Sequence, residues 1–203
     1  MYLPPQFDRP EHAHAIMRAH PLAQLVSVDD EGFPFITPLP LKLELRSDQA
    51  WLLGHVAKPN PHGRYLASRP EALATFMGPH AYMPASVYPD RQRVPTWNYL
   101  TVQARVRVHL LEGQAAKDSL LKSLIADHDP PYADQWRSQP EDYAHAMLAG
   151  ITAFELEVLD LACKVKLNQH RPQSHAALHA AYAQGSDAQR ELAQWMQRLG
   201  LVP

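Results

Sequence analysis

The 203-residue sequence predicts a mainly β fold, a small antiparallel barrel with peripheral helices. Six segments have the composition or the alternation of β-strands. Helical segments are inserted between predicted hairpins and do not follow a regular βαβ order, which argues against a parallel sheet. The 19 prolines against 8 glycines indicate many rigid, extended connections. A chain of this length forms one sizeable domain, or one domain with a helical appendage.

The composition argues against several classes of protein, namely strongly basic nucleic-acid binders, disulfide-bonded proteins, membrane proteins and secreted proteins. The net charge of −2 gives no overall basic field for nucleic acid. Cys163 is the single cysteine, so an intrachain disulfide is excluded and a reducing, cytoplasmic location is expected. No apolar run is long enough for a transmembrane helix, so no membrane association is expected. The first residues lack the basic and apolar regions of a signal peptide.

The N-terminal third predicts one helix followed by two strands. Asp8 with Glu11 three residues later is typical of a capping box, and Pro21 predicts the helix end near His20. Leu22 to Asp29 is predicted as the first strand. Phe33 to Leu45 is predicted as the second, and its alternate prolines (Pro34, Pro38 and Pro40) indicate an edge strand.

Four more strands are predicted. Ala50 to Val56 and Leu73 to Met77 have strand composition, and a short helix is expected around 62–67. From Trp97 to Leu110 apolar residues occupy even positions and polar ones odd positions, as in a long strand with one buried face. Ala153 to Leu159 alternates again.

The C-terminal part predicts several helices. Leucines and an isoleucine recur at helical spacing between 117 and 125, and a capping signature at Ser138 to Glu141 opens a helix that Gly150 closes. Two further helices begin at Ser174 and Ser186, the second with Gln189 at the capping-box position.

The segment from Gly78 to Tyr99 raises a question, because it is rich in both aromatic residues and proline. Disordered linkers have few rings, and buried strands have few prolines. Rings with a polar atom suit a planar, partly polar ligand or a dimer contact. Packing of these rings beneath a long loop is an equally good interpretation. The rings are those of His80, Tyr82, Tyr88, Trp97 and Tyr99.

Three basic groups are candidates for anion binding. The loop after the third strand holds Lys58 and Arg64 before a short helix, where a phosphate could bind. Strand alternation places Lys164 and Lys166 on one face, where an anion would relieve their repulsion. For both groups, charges that simply reach into solvent are the simpler interpretation. Arg105 and Arg107 form the third group, as an anion site, a subunit interface or a solvent-facing strand.

No metal site is expected. His175 and His179 are four residues apart, as zinc ligands can be, but no third ligand is recognisable. Cys163, although it precedes Lys164, has no histidine partner in the pattern and is interpreted as a buried structural thiol.

Four strings resemble the PaiB family of FMN-binding split-barrel proteins, described as negative transcriptional regulators. They are GHVAKPNPH (54–62), FMGPHAYMPASVY (76–88), VPTWNY (94–99) and KVKLNQHRP (164–172). The resemblance implies a six-stranded split barrel like that of pyridoxamine phosphate oxidases. It covers residues 1–172 as an FMN-binding domain and leaves 173–203 as a helical appendage, packed on the barrel or on a dimer partner. It also implies a homodimer with FMN near the subunit interface.

The resemblance also implies a set of cofactor-binding residues. The loop after the third strand would hold the phosphate and ribityl chain, the later lysine-rich strand would approach it, and a tryptophan and an asparagine would lie beside the ring or the interface. The residues so assigned are His55, Val56, Ala57, Lys58, Asn60, Pro61, His80, Trp97, Asn98, Lys164, Lys166 and Gln169.

Three functions remain open. The first is an FMN-binding regulator, with DNA as a partner on family grounds alone and a local basic patch of Arg91, Arg93, Arg105 and Arg107 as its footprint. The second is an FMN-dependent oxidoreductase using NAD(P)H, in which His80 is the best candidate for a general acid or base. The third is haem binding, which the 12 histidines permit without selecting it. No catalytic residue is assigned.

Overall fold

The computed structural model describes residues 1–90 and 92–203. Within these residues there are seven strands and seven α-helices. The strands are β1 (Leu22–Val28), β2 (Pro34–Pro40), β3 (Lys42–Arg46), β4 (Gln49–Ala57), β5 (Glu71–Met83), β6 (Thr96–Leu111) and β7 (Ile151–Lys166). The helices are α1 (Ala13–Ala19), α2 (His62–Ser68), α3 (Gln114–His128), α4 (Tyr132–Arg137), α5 (Glu141–Ala149), α6 (His175–Ala183) and α7 (Asp187–Arg198).

The seven strands form one sheet in the order β2-β1-β5-β6-β7-β4-β3. The pairings of β1 with β2, β1 with β5, β3 with β4 and β4 with β7 are antiparallel. The prediction of a mainly antiparallel fold with peripheral helices is therefore confirmed. β2 lies at one edge, as its exposed prolines predict, because a strand without those N–H groups cannot pair on both sides.

The strand count differs from the six predicted, because residues 33–45 form two strands. Leu41 separates β2 from β3, and its N–H donates to the carbonyl oxygen of Pro21 at 2.9 Å. β2 pairs with β1 up to Pro40, whereas β3 pairs with β4 from Lys42 onward. The chain thus passes from one edge of the sheet to the other at Leu41, a change that local composition does not reveal.

β5 and β6 extend into the aromatic, proline-rich segment, which is not one loop. β5 continues to Met83 and β6 begins at Thr96, so that only the residues between them form the connection. In β5, Gly78 and Pro79 are both buried between exposed residues, as in a β-bulge. A Cβ atom on Gly78 would lie 3.1 Å from Cβ of Leu100. Glycine therefore permits the close approach of β5 and β6.

The alternation of β6 agrees with prediction at most positions. The even positions from Leu100 to Val108 are buried, while Arg105 and Arg107 are exposed. Thr101 departs from the pattern, because it is buried and its Oγ1 donates to the carbonyl oxygen of Phe76 at 2.9 Å. This bond satisfies the hydroxyl group within the protein.

The chain divides into two compact units. Unit 1 contains residues 1–20, 76–103 and 161–203, and its core includes Ile16, Leu178 and Tyr182. Unit 2 contains residues 21–75 and 104–160. Its core includes Leu25, Leu52, Phe154 and Leu156, and a second cluster places Leu120 and Leu124 of α3 against Leu53 and Ala153. The predicted division into a 1–172 domain and a 173–203 appendage stays a prediction.

The predicted helix caps have mixed outcomes. α7 begins with the predicted capping box, in which Ser186 and Gln189 bond each other's backbone N–H groups. The Asp8 cap is wrong: α1 begins at Ala13, and the backbone of residues 8 and 9 instead bonds β7, where Arg9 N–H donates to Cys163 O at 3.0 Å. The Ser138 cap is also wrong, since Ser138 closes α4, a helix that the sequence did not predict.

In the described part of the chain, no helix has the length and apolar character needed to cross a membrane.

Candidate functional site

The main candidate site is an aromatic face on unit 1, formed by Met77, His80, Trp97 and Tyr99. In β5, Met77 and His80 are exposed on either side of the buried Gly78 and Pro79, and in β6 alternation places Trp97 and Tyr99 on one face. These four side chains line a shallow cavity of about 270 Å³. The ring centroids of His80 and Trp97 are 6.3 Å apart, within the distance at which aromatic rings interact.

The aromatic face exposes an unusual amount of apolar surface. Trp97 is 54% exposed, Met77 51% and the neighbouring Tyr82 48%. The Tyr82 and Trp97 rings meet edge to face, with centroids 6.0 Å apart. Clustered exposed apolar side chains of this kind mark a ligand or partner surface. The Tyr82 and Trp97 rings are therefore not packed beneath a loop.

Two lysines border this face. Lys164 and Lys166 lie on one face of β7, as predicted, and their Nζ atoms are 5.5 Å and 5.7 Å from the centroid of the Tyr99 ring. The Nζ of Lys164 also donates to Tyr2 O at 3.1 Å, and that of Lys166 to Thr96 Oγ1 at 2.7 Å. Among the residues that the structure describes, neither lysine forms an ion pair with a carboxylate.

The electrostatics of Lys166 follow from this arrangement. Burial lowers the pKa of Lys166, the nearby Tyr99 raises it, and the charge of Lys164 lowers it. The protein thus places two like charges side by side, with no counter-ion among the residues described. A bound anion would stabilise both ammonium groups.

Two residues assigned to the ligand by resemblance point into the protein. Asn98 is completely buried, and its Nδ2 donates to the hydroxyl oxygen of Tyr182 at 3.0 Å. The side-chain amide of Gln169 bonds the backbone at the end of β7. Its Nε2 donates to Val165 O at 2.5 Å, and its Oε1 accepts from Leu167 N at 2.8 Å. Both side chains brace the strands beneath the aromatic face and the lysines.

The loop from His55 to Pro61 belongs to unit 2. Its Asn60 organises the start of α2, because Oδ1 accepts from His62 N at 3.0 Å and the backbone oxygen accepts from Gly63 N at 3.2 Å. The next N–H, of Arg64, donates to Pro61 O at 3.0 Å. The first N–H groups of this seven-residue helix are therefore already bonded within the chain.

The remaining loop residues differ in accessibility. Val56 is buried in β4, whereas Ala57 and Lys58 are exposed at its end. His55 is partly buried with Nδ1 unpaired among the described residues, and burial lowers its pKa. Lys58 is the cation that this loop presents to solvent.

Comparison with known proteins identifies the family to which this chain belongs. The family described as "Putative FMN-binding domain" matches residues 1–160. The chain belongs to this family. It is 30% identical over 179 residues to the protease synthase and sporulation protein PAI 2 of Bacillus subtilis strain 168, covering 86% of this chain and 84% of the relative. The resemblance to the PaiB family is thereby confirmed, and FMN is the cofactor.

Solved structures support the fold of this FMN-binding family member. The FAD and haem binding protein of Mycobacterium smegmatis matches with a TM-score of 0.60 and 18% identity, over 78% of this chain and 72% of that one. The flavocytochrome Anf3 of Azotobacter vinelandii matches with a TM-score of 0.59 and 19% identity, over 78% and 67%. At these identities the likeness shows the split-barrel class of fold alone.

The residues present in unit 1 fit FMN. The flat, apolar aromatic face suits an isoalloxazine ring, and the uncompensated Lys164 and Lys166 suit a phosphate. The residues assigned by resemblance omit Met77 and Tyr99, which complete this face. Tyr99 was already among the rings that the sequence offered for a planar ligand, whereas Met77 was not named, because a lone methionine beside Gly78 gives no local signal that it is exposed.

The other basic and metal candidates do not form comparable sites. Arg91 lies outside the described residues, Arg93 pairs with Asp90 at 3.0 Å, and Arg107 lies 3.5 Å from Glu157. The buried His175 bonds the backbone of Asn168. In residues 1–90 and 92–203, no three His, Cys, Asp or Glu side chains are grouped to hold a metal ion. Burial raises the pKa of Cys163 to about 12, which makes it an unreactive thiol.

Proposed function

We propose that this chain binds FMN through the aromatic face and the lysine pair of unit 1, and acts as a homodimeric negative transcriptional regulator of the PaiB type. The observation that carries the FMN site is the open aromatic face of Met77, His80, Trp97 and Tyr99 beside two lysines that lack a carboxylate partner among the described residues. We place this function in the reducing cytoplasm, where the lone thiol stays reduced.

Each part of the site has a separate role. Trp97 and Tyr99 offer ring surfaces on which a flavin stacks, and Met77 fills the space at their edge with a polarisable side chain. Lys164 and Lys166 attract the phosphate, while Asn98 and Gln169 hold the strands that carry these residues. FMN when bound supplies a redox-active ring, and its oxidation state gives the regulator a signal to sense.

A second location for the phosphate is the loop from His55 to Pro61, which the family resemblance assigns to this role. The exposed Lys58 supports it. The bonded N–H groups at the start of α2 count against it, since a phosphate there would lack backbone donors.

The first experiment is an absorbance spectrum of the purified protein, followed by release and chromatography of the ligand and titration with FMN. We expect flavin bands and about one FMN per chain. Trp97→Ala and Lys166→Gln should weaken FMN binding about tenfold or more, which corresponds to about 1.4 kcal/mol. Lys122→Gln, on α3, is the matched control and should bind normally.

The phosphate position is tested by the same titration with riboflavin, which lacks the phosphate. Lys166→Gln should affect FMN and leave riboflavin unchanged, whereas Trp97→Ala should affect both. A loss confined to Lys58→Gln would move the phosphate to the His55–Pro61 loop. A colourless protein that also fails to bind added FMN would contradict the proposal.

The homodimer is supported by the apolar surface that Tyr82 adds beside the aromatic face. A charge introduced into a buried contact is costly because it loses its hydration. Tyr82→Arg should therefore produce a monomer in sedimentation velocity, and Tyr143→Arg on α5 should remain dimeric. A monomeric unmodified protein would remove the dimer from the proposal.

The regulatory role is tested by DNA binding. Pooled duplex fragments of the source genome are selected with the purified protein, and the affinity of the selected fragments is measured over a salt series. Phosphate contacts predict a linear fall of log K with log salt concentration. No enrichment of any fragment, in either the oxidised or the reduced flavin state, would overturn the regulatory role.

An FMN-dependent oxidoreductase is the second candidate. The half-exposed side chains of the aromatic face favour it, because a flavin lying there remains open to a second molecule such as NAD(P)H. Anaerobic bleaching of the flavin by NADPH within seconds would support it, and slow bleaching equal to that of free FMN would exclude it. The haem alternative predicts a Soret band after haem titration that His80→Ala removes.

A further inference from the structure

Unit 1 contains a second concave surface, which we call the cationic cleft. Its volume is about 480 Å³. It is formed by three segments that are distant in sequence: the N-terminal residues 6–7, residues 88 and 92–96, and the end of β7 with the loop that follows. The side chains that carry the argument are Tyr88, Arg93, Thr96, Lys166, His170 and Arg171.

The charged side chains that line this cleft are all positive. No Asp or Glu is among the described residues that line it, while Arg93, Lys166 and Arg171 are all cations. Arg93 is partly neutralised, because its Nη2 lies 3.0 Å from the carboxylate of Asp90, outside the cleft lining. Its Nε is nevertheless buried and has no acceptor among the described residues. A buried guanidinium donor without an acceptor is costly, and an oxyanion would satisfy it.

Hydrogen bonds within the protein also fix the side chains and backbone around the cleft before any ligand binds. The Tyr88 hydroxyl donates to Asn168 Oδ1 at 3.1 Å, and Asn168 Nδ2 bonds Ser174 Oγ at 2.7 Å. Asn168 itself has φ of 61°, a left-handed conformation that residues other than glycine adopt at an energetic cost. This buried network turns the chain sharply after β7 and so places His170 and Arg171 at the cleft.

Neighbouring side chains also fix the positions of Lys166 and His170. Lys166 Nζ donates to Thr96 Oγ1 at 2.7 Å, and the His170 ring meets the Phe7 ring edge to face with centroids 5.7 Å apart. Burial lowers the pKa of His170, and the positive charges of Arg171 and Lys166 lower it further. These effects favour the neutral imidazole, which can bond an oxyanion as a single donor.

The geometry points to a site for the oxyanion group of a small molecule other than FMN, with Arg93 and Arg171 as its recognition residues. A concave cleft of this volume suits a small molecule bearing a phosphate or carboxylate. Arginine forks match the geometry of both groups. Arg93 and Arg171 are not part of the proposed flavin site, whereas Lys166 borders both that site and the cleft, so the inference rests on the proposed position of FMN.

Inorganic phosphate is the probe, titrated into the FMN-saturated full-length protein in a phosphate-free buffer at fixed ionic strength. Binding is followed by isothermal calorimetry and by the ³¹P line width. We expect saturable binding of one phosphate per chain, with FMN absorbance unchanged. Arg93→Gln and Arg171→Gln should each weaken phosphate binding about tenfold or more, since each removes a charge-assisted hydrogen bond to the anion.

Arg105→Gln, on the exposed face of β6, is the matched control and should bind phosphate normally. Far-ultraviolet circular dichroism and FMN titration show whether each variant is folded. Release of FMN by phosphate would identify the cleft as the flavin phosphate site and overturn the inference. The inference would also be overturned if all three arginine variants lost the same amount of phosphate affinity. Chloride binding as tightly as phosphate would overturn it too. Absence of FMN from the protein would defeat the proposed function and leave this test intact.

Discussion

At the residue scale, the pair of Asn98 and Tyr182 shows how a polar side chain supports a binding surface without touching it. Asn98 lies between the exposed Trp97 and the half-buried Tyr99 in β6, and its amide reaches Tyr182 of α6. Burial raises the pKa of the Tyr182 hydroxyl to about 12, so it remains a neutral acceptor and donor. The aromatic face is therefore fixed from behind by α6.

Tyr182→Phe tests this support. The variant keeps the ring and removes the acceptor of Asn98 Nδ2, which leaves a buried donor with only Met83 Sδ at 3.4 Å. We expect the free energy of unfolding in urea to fall by about 1–3 kcal/mol with the m-value unchanged. Tyr143→Phe, on the exposed surface of α5, should cause no change. A loss below about 0.3 kcal/mol in Tyr182→Phe would show that this bond contributes little.

His62 gives a prediction about pH. It is completely buried in unit 2, its Nδ1 lies 2.7 Å from Thr37 Oγ1, and burial lowers its pKa from 6.5 to about 4. The unfolded chain thus binds a proton between pH 6.5 and 4 that the folded chain does not bind. Stability should fall as the pH falls through this window, by up to about 3 kcal/mol.

The measurement is the free energy of unfolding against pH for the native chain and for His62→Gln. The variant should show a shallower slope between pH 6.5 and 4, whatever its stability at pH 7. His145→Gln, at an exposed position of α5, should keep the native slope. An unchanged slope in His62→Gln would mean that other groups cause the acid sensitivity.

At the scale of elements, local sequence decides helix ends where the capping groups have no competitor. Ser186 and Gln189 bond each other's backbone N–H groups, and Gly185 before them has no Cβ to obstruct the Gln189 side chain. Asp8 has the same pattern with Glu11, yet residues 8 and 9 pair with β7 instead. A tertiary hydrogen bond outcompetes a local cap there.

Ser186→Ala should cost about 1 kcal/mol of stability, because the N–H of Gln189 loses its acceptor. Thermal or urea unfolding measures this loss, and Ser186→Asp, which restores an acceptor, should recover most of it. Ser138→Ala, in which the hydroxyl bonds only the preceding turn, should be nearly neutral. Failure of aspartate to recover the stability would indicate that the hydroxyl acts other than as a cap.

At the scale of the whole molecule, the cofactor and the fold are linked by mass action. FMN that binds the folded chain alone raises the free energy of unfolding by RT ln(1 + [FMN]/Kd). At a hundredfold excess over Kd this amounts to about 2.7 kcal/mol, or a rise in Tm of about 5–11 °C for a chain of this size.

Differential scanning fluorimetry with FMN and riboflavin measures this linkage. FMN should raise the Tm more than riboflavin does at equal concentration, because the lysine pair interacts with the phosphate alone. In Lys166→Gln the two ligands should give nearly equal shifts. Equal shifts in the unmodified protein would show that the phosphate contributes no binding energy.

The sequence predicted features that depend on neighbours along the chain. The prolines of β2 placed it at an edge, the parity of β6 identified its buried face, and strand alternation placed Lys164 and Lys166 together. The motifs from 54 to 172 were enough to indicate the family and its cofactor. These signals survive in a single sequence because steric rules and strand geometry act over a few residues.

Tertiary structure alone decided the features that join distant segments. It divided residues 33–45 between two edges of the sheet, bonded Asn98 to Tyr182 of α6, and exposed Met77 beside His80 on the aromatic face. It also brought residues 6–7, 88, 92–96 and 166–171 together as the cationic cleft. Which segments meet, and which cation is left without a counter-ion among the described residues, depends on packing between segments far apart in the chain, and local sequence does not encode it.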